Sequence, residues 1–303
     1  MMKVTILGSS SAKPSADRHP SAQIVNVDEQ YFLVDAGEGV QQQMFRCGIN
    51  PLKLRGIFIS HLHGDHVFGL FPLLSTLGLY GRAMPVRIFA PAPFGEILEA
   101  YKTYFESRLC YEIEWVEVDT TAHRMIFESR TLEVWSIPLR HSLRSSGYLF
   151  REKPAELNVE KFKIERYGLT IPQIVAAKRG EDITLDDGTV IPNAELTYLP
   201  RRAASYAYCS DTSFSAKVAG IVEGIDVLYH EATYADDSKS VAADRGHSTA
   251  AQAAEVARRA GVGRLLIGHF SSRYKEPEVL LDEARAIFPD TEIAVEGKTF
   301  IIN

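Results

Sequence analysis

The chain has 303 residues, 46% of them hydrophobic and 24% charged, which supplies a sizeable core and argues against wholesale disorder. A formal net charge of −6 excludes a protein that holds nucleic acid by overall positive charge, so a polyanionic substrate has to be gripped locally. No run reaches the ~18 apolar residues of a bilayer-crossing helix, the apolar start ends at Gly8, short of a signal-peptide core, and the scattered Cys47, Cys110 and Cys209 suit reduced thiols in a cytoplasm. In chain order, strands are expected at 3–7, 23–27 and 31–34, a helix at 39–47, a strand at 56–60, a helix at 67–79, a strand at 86–90 and a helix at 93–107. Short runs of β-branched and aromatic residues at 112–118, 124–127, 132–138 and 146–150 make the middle strand-rich.

Residues 151–202 change character, mixing charges with Pro154, Pro172, Pro192, Pro200, Gly168 and the turn Asp186-Asp187-Gly188, with little sign of a continuous core element. They read as a flexible arm inserted into one α/β domain spanning 1–303. Within 151–180, seven Lys/Arg face four Glu, which as a solvated surface needs no function and as a contact surface suits phosphate. Strand 206–209, helix 213–222, strand 226–229, helix 248–260 and strand 264–267 then restore the alternation.

The chemistry is concentrated in His61-Leu62-His63-Gly64-Asp65-His66, placed between an apolar strand and an apolar helix. As a core feature this run is costly, because buried imidazoles need partners and a buried carboxylate needs a counter-charge. Zinc explains it: Zn²⁺ takes His nitrogen and carboxylate oxygen and leaves a position for water at catalytic sites. Four ligands exceed what one open site needs. His61 and His63 can face one metal while Asp65 and His66 face a second, at the roughly 3.5–4 Å spacing that serves phosphoryl chemistry. Further ligands have to come from other strand ends, where His141, Asp211 and His269 stand, each ambiguous taken singly.

The His-x-His-x-Asp-His run followed in order by a His, an Asp and a His resembles the ligand set of the metallo-β-lactamase superfamily. Residues 9–18, His230-Glu231-Ala232-Thr233 and His247-Ser248-Thr249 resemble, more narrowly, ribonuclease Z, the tRNA 3′-endonuclease, and the likeness covers nearly the whole chain. It implies an αββα sandwich of two mixed sheets flanked by helices, and two Zn²⁺ per subunit. One would be held by His61, His63 and His141, the other by Asp65, His66 and His269, with Asp211 bridging. It also implies Asp65 as general base, and His247 as the acid that protonates the leaving 3′ oxygen, oriented by Glu231. The alternative for His247 is a neighbour of the cap of helix 248–260, a role that suits Ser248 or Thr249 better. His230 is expected to be structural, His19 and His123 ordinary loop histidines, and Arg273 either a phosphate contact or a surface residue.

The resemblance further implies that the arm grips the elbow of precursor tRNA, that the protein is a cytoplasmic homodimer, and that it removes the 3′ trailer to leave a 3′-hydroxyl. Three places depart from the family pattern: Arg18-His19 stands for Arg-Asn, Ser210 stands where a Gly usually precedes the Asp, and 167–172 lack a Gly-Pro signature. The rival readings are a small-substrate zinc phosphodiesterase or arylsulfatase of the same fold, and a non-catalytic RNA-binding protein.

Overall fold

The computed structural model describes residues 1–105 and 109–303. The chain divides into two compact units, one of residues 1–151 with 204–302, the other of 152–203. The larger unit opens with strands β1 (Met2–Gly8), β2 (Ala22–Val27), β3 (Gln30–Ala36), β4 (Leu54–Phe58), β5 (Val86–Ala90) and β6 (Ile113–Glu117). Among them lie helices α1 (Val40–Arg46), α2 (Gly64–Val67), α3 (Leu70–Leu79) and α4 (Phe94–Tyr104). Strands β7 (Met125–Glu128), β8 (Leu132–Pro138) and β9 (Ser146–Glu152) lead to the smaller unit, which holds β10 (Asn158–Val159), α5 (Lys161–Tyr167), α6 (Ile171–Lys178), β11 (Ile183–Thr184), β12 (Val190–Ile191), α7 (Asn193–Leu196) and β13 (Thr197–Tyr198). The larger unit resumes with β14 (Ser205–Cys209), α8 (Ala216–Ile221), β15 (Val227–Glu231), α9 (Lys239–Asp244), α10 (Ala250–Ala260), β16 (Arg264–Gly268), α11 (Glu278–Arg285), β17 (Thr291–Ile293) and β18 (Thr299–Ile302).

One seven-stranded sheet runs β18-β1-β2-β3-β4-β5-β6 and the other β17-β16-β15-β14-β9-β8-β7. Both are mixed: β3 to β6 pair in parallel after an antiparallel start, and β14 to β17 are parallel while β14 meets β9 antiparallel. Because successive strand residues point to opposite faces, each sheet buries both. Val4, Phe32, Phe58, Phe150, Tyr206 and Tyr229 belong to one cluster contributed by both sheets. On the outer faces, Leu33 and Ile57 pack with Met44, Leu73 and Leu98 of the first helices, and Leu228 and Leu265 with Ala253 and Ala257 of α10. The order is helix, sheet, sheet, helix, as expected. No described helix is long and apolar enough to cross a membrane, and the three cysteines are free thiols.

The differences from the expected elements have local causes. The helix expected at 67–79 breaks at Gly69, where a Cβ would meet the Gly37 carbonyl oxygen at 2.0 Å and the amide donates to Ala36. Only a glycine permits that approach, and it ties the start of α3 to the end of β3. The end of the helix expected at 93–107 lies outside the described residues, and α4 spans Phe94–Tyr104. Strand 31–34 extends to Ala36, and helix 248–260 starts at Ala250, capped by the Thr249 side chain in a capping box with Gln252. Helices α9 and α11 and strands β17 and β18 were not anticipated. In the smaller unit, the stretch expected to lack core elements buries Leu169, Ala177, Ile183, Ile191 and Leu196. Its elements are at most eight residues long, too short to register as periodicity.

Candidate metal centre and catalytic pair

Parallel pairing of β14, β15 and β16 carries Asp211, His230-Glu231 and His269 to one sheet edge. From the other sheet β4 delivers His61 to His66, whose last residues form the short helix α2. His141 arrives on the loop after β8. His269 holds a left-handed φ of 59°, which turns the chain sharply as it leaves β16.

The seven expected ligands converge in two groups. In the first, His63 Nδ1 lies 3.0 Å from His61 Nε2 and 3.2 Å from His141 Nε2, while Asp211 Oδ2 is 3.6 and 3.7 Å from those same two Nε2 atoms. In the second, Asp65 Oδ2 lies 3.4 Å from both His66 Nε2 and His269 Nε2, and Asp211 Oδ1 is 3.4 and 3.2 Å from them. A tetrahedral cation with bonds of ~2.0–2.1 Å separates its ligand atoms by about 3.3–3.4 Å, the spacing of both groups. Asp211 therefore offers one oxygen to each.

The atoms that face inward lack other partners. Among the described residues neither His66 Nε2 nor Asp211 Oδ1 has a hydrogen bond, although both are buried. Left so, each costs free energy that a cation between them would recover. The outward nitrogens are anchored instead: His66 Nδ1 to Asp35 at 2.7 Å, His61 Nδ1 to Ser60 Oγ at 3.0 Å, His141 Nδ1 to the Gly246 carbonyl at 2.8 Å, and His269 Nδ1 to Thr233 Oγ1 at 2.8 Å. Such bonds fix ring orientation and the nitrogen left for a metal. The residues present fit a pair of divalent cations.

Charge in the cluster follows from burial and neighbours. Burial pushes His61 well down, helped by His66, and burial also lowers His141. Burial opposes charge on His66, but Asp211, Asp65 and Asp35 hold it well above the usual histidine range. Burial likewise opposes ionisation of Asp65 and Asp211, and the imidazoles outweigh it, holding both carboxyls far below the ordinary range. Both carboxylates are thus anionic at neutral pH, the form in which they can ligate a cation.

Beside this cluster, Glu231 Oε1 lies 3.0 Å from His247 Nδ1. Glu231 is fully buried and also accepts from the amides of Thr212, Ser248 and Thr233 and from Thr233 Oγ1. Burial opposes charge on His247, yet Glu231 and Asp211 push it up to about 9. Its ring could instead join a ligand set with Asp211 and His269. The Glu231 bond is shorter than its 3.9 Å to Asp211, and favours a proton-carrying role. An open cleft of 1010 Å³ is lined by Asp65, His247 and His269, and by Lys13, Arg18 and Arg273.

His230 is buried with Nδ1 on the Glu231 carbonyl, and His123 stacks on Trp135, both apart from the ligand groups. His19 departs from expectation: it lines the cleft and pairs with Glu296 at 2.8 Å. Arg273 also lines the cleft, over the Tyr234 ring at 5.1 Å. One residue was missed altogether, Asp35, and Thr233 stood only within the matched run 230–233, without its role as the anchor of His269. Asp35 is fully buried at φ 55° and accepts from Ser60, Tyr208 and His66. The one available signal was an aspartate closing an apolar strand.

A family profile described as anti-Pycsar protein Apyc1 matches residues 2–152, and one described as a β-lactamase superfamily domain matches 198–270. Human tRNase Z, short form, superposes with a TM-score of 0.70 at 23% identity over 99% of each chain, a likeness of fold. The ribonuclease Z of Porphyromonas gingivalis is 41% identical over 97% of this chain and 96% of its own. That of Parabacteroides distasonis is 43% identical over 97% of each. At that identity across nearly the full length, the protein belongs to the ribonuclease Z family.

Proposed function

We propose that the protein hydrolyses the phosphodiester bond joining a precursor tRNA to its 3′ trailer, with two Zn²⁺ per subunit, leaving a 3′-hydroxyl on the tRNA. The observation that carries the reading is Asp211, with one oxygen in each of two ligand groups beside a buried acid–carboxylate pair. His61, His63 and His141 would hold one ion, Asp65, His66 and His269 the other. When bound, such a pair activates water at neutral pH and neutralises charge on phosphoryl oxygens.

The chain's own groups supply the rest. Asp65 commits Oδ2 to the second ligand group and keeps Oδ1 to accept the proton of the attacking water. His247, tied through Nδ1 to Glu231, donates from Nε2 to the departing 3′ oxygen, which is too basic to leave unprotonated. Lys13, Arg18 and Arg273 give the cleft a positive side for the nucleotides flanking the bond.

The smaller unit is the tRNA grip in this reading. Lys161, Arg166 and Arg179 are exposed on its helices or just beyond them. A few such charges steer a polyanion even on an acidic protein. The protein acts as a cytoplasmic homodimer. Because Arg151 pairs with Ser205 across β9 and β14, a two-residue Asn-Gly turn can replace 152–204. That variant should lose precursor tRNA cleavage and keep hydrolysis of a small chromogenic phosphodiester. Retained tRNA cleavage would overturn the assignment of the grip. The second reading, a small-ester phosphodiesterase or arylsulfatase, draws on the open cleft, which admits a free mononucleotide-sized ester.

A further inference from the structure

Next to the ligand cluster lies a second depression, of 610 Å³, walled by the loop after β8 and the segment that follows α9. Three exposed arginines, Arg140, Arg144 and Arg245, line it against one carboxylate, Asp244, with the hydroxyls of Thr120, Thr121 and Ser142. In a chain of net charge −6 this is a local reversal of sign. Some other exposed arginines are neutralised, as Arg87 is by Glu114 and Arg258 by Glu255. Among the described residues no carboxylate lies within ion-pair distance of these three.

The backbone beneath them is fixed. The Arg140 amide donates to Thr212 Oγ1 at 3.1 Å and its carbonyl accepts from the Ser213 amide at 2.7 Å. The loop closes on itself where the Leu139 amide meets the Ser145 carbonyl at 3.2 Å. Arg245 donates to the Tyr234 hydroxyl at 3.3 Å and lines both this depression and the catalytic cleft, so the two meet at its side chain. Guanidinium groups with no carboxylate partner, on an ordered backbone, suit phosphodiester oxygens.

The catalytic geometry says which strand they would hold. His247, the donor to the leaving 3′ oxygen, lines the larger cleft and not the smaller depression, whereas His141 lines the smaller. The leaving 3′ oxygen of the tRNA side therefore faces the larger cleft, and the smaller depression, which meets that cleft at Arg245, lies open to the other side. We infer that the smaller depression is a subsite for the sugar–phosphate backbone of the single-stranded 3′ trailer. This rests on the endonuclease reading above.

The test uses the full-length, zinc-loaded protein, its Arg140→Ala/Arg144→Ala variant, and one precursor tRNA carrying either a one-nucleotide or a ten-nucleotide trailer. The variant should lose kcat/KM for the long trailer only, with the short trailer and a small chromogenic diester unaffected. Each single-strand phosphate contact contributes ~0.7 to the log–log salt slope, so raising salt from ~50 to ~200 mM should cost the wild type about sevenfold more than the variant. Equal loss on both trailers, or loss on neither, overturns the subsite. Should the alanine variant fold poorly and lose every activity, Arg140→Lys/Arg144→Lys decides: it keeps the charge and should preserve the preference for the long trailer, and its failure to do so also overturns it. A wild-type protein that cuts no precursor at all removes the endonuclease reading itself, a result distinct from these.

Discussion

The ligand cluster and the His247–Glu231 pair stand side by side yet are stabilised in opposite ways. In the cluster, the atoms that face inward, His66 Nε2 and Asp211 Oδ1, have no hydrogen bonds among the described residues, and the supports lie behind them. Around Glu231 each carboxylate oxygen is satisfied by amides, a hydroxyl and the imidazole. One half is built around missing charge and fits divalent metal; the other is complete in the polypeptide. Metal removal should therefore unsettle the first and leave the second in place.

The sharpest way to break that contrast is Asp211→Ala, which withdraws an oxygen from both ligand groups at once. Activity should fall on the order of a thousandfold or more, and elemental analysis should find fewer than two zinc ions per chain. Full metal content in this variant would contradict a bridging Asp211. His247→Ala should cost ~10²–10⁴ in kcat, the worth of a general acid, with metal content and KM unchanged. Parallel loss of zinc would make His247 a ligand instead.

Asp35→Asn probes the support behind His66 without replacing a ligand. Zinc affinity should drop ~10–100-fold, measured by competition with a chelator, while saturating zinc restores most of the rate. The smallest expected effect belongs to Glu231→Gln. The new amide NH₂ has to face either the Thr233 amide or the Thr212 and Ser248 amides, leaving a buried donor unmet at about 1–3 kcal/mol, readable as a lowered Tm. His247 must be protonated to donate, so activity falls as pH rises through its pKa. Glu231 raises that pKa against burial, so the substitution should move the alkaline limb of kcat to lower pH. An unmoved limb would dissociate Glu231 from the acid.

The cluster 61–66 was legible because six consecutive residues carry four potential ligands, a density that core packing does not produce. His141, Asp211 and His269 were legible only as residues at strand ends, and the resemblance selected them. The roles of Asp35 and Thr233 were invisible because their partners, His66 and His269, lie 31 and 36 positions away and meet them only through folding. The break of α3 at Gly69 depends on a backbone approach from β3 that no local pattern records. The alternation of strands and helices was the most visible part, since apolar periodicity is written locally.

The central claim is most directly tested by incubating the full-length protein, its zinc content assayed, with a 3′-extended precursor tRNA and mapping both new ends. The account predicts one cut that leaves a 3′-hydroxyl on the tRNA, abolished by a chelator and restored by zinc. An intact precursor in the presence of protein carrying two zinc ions per chain would contradict it.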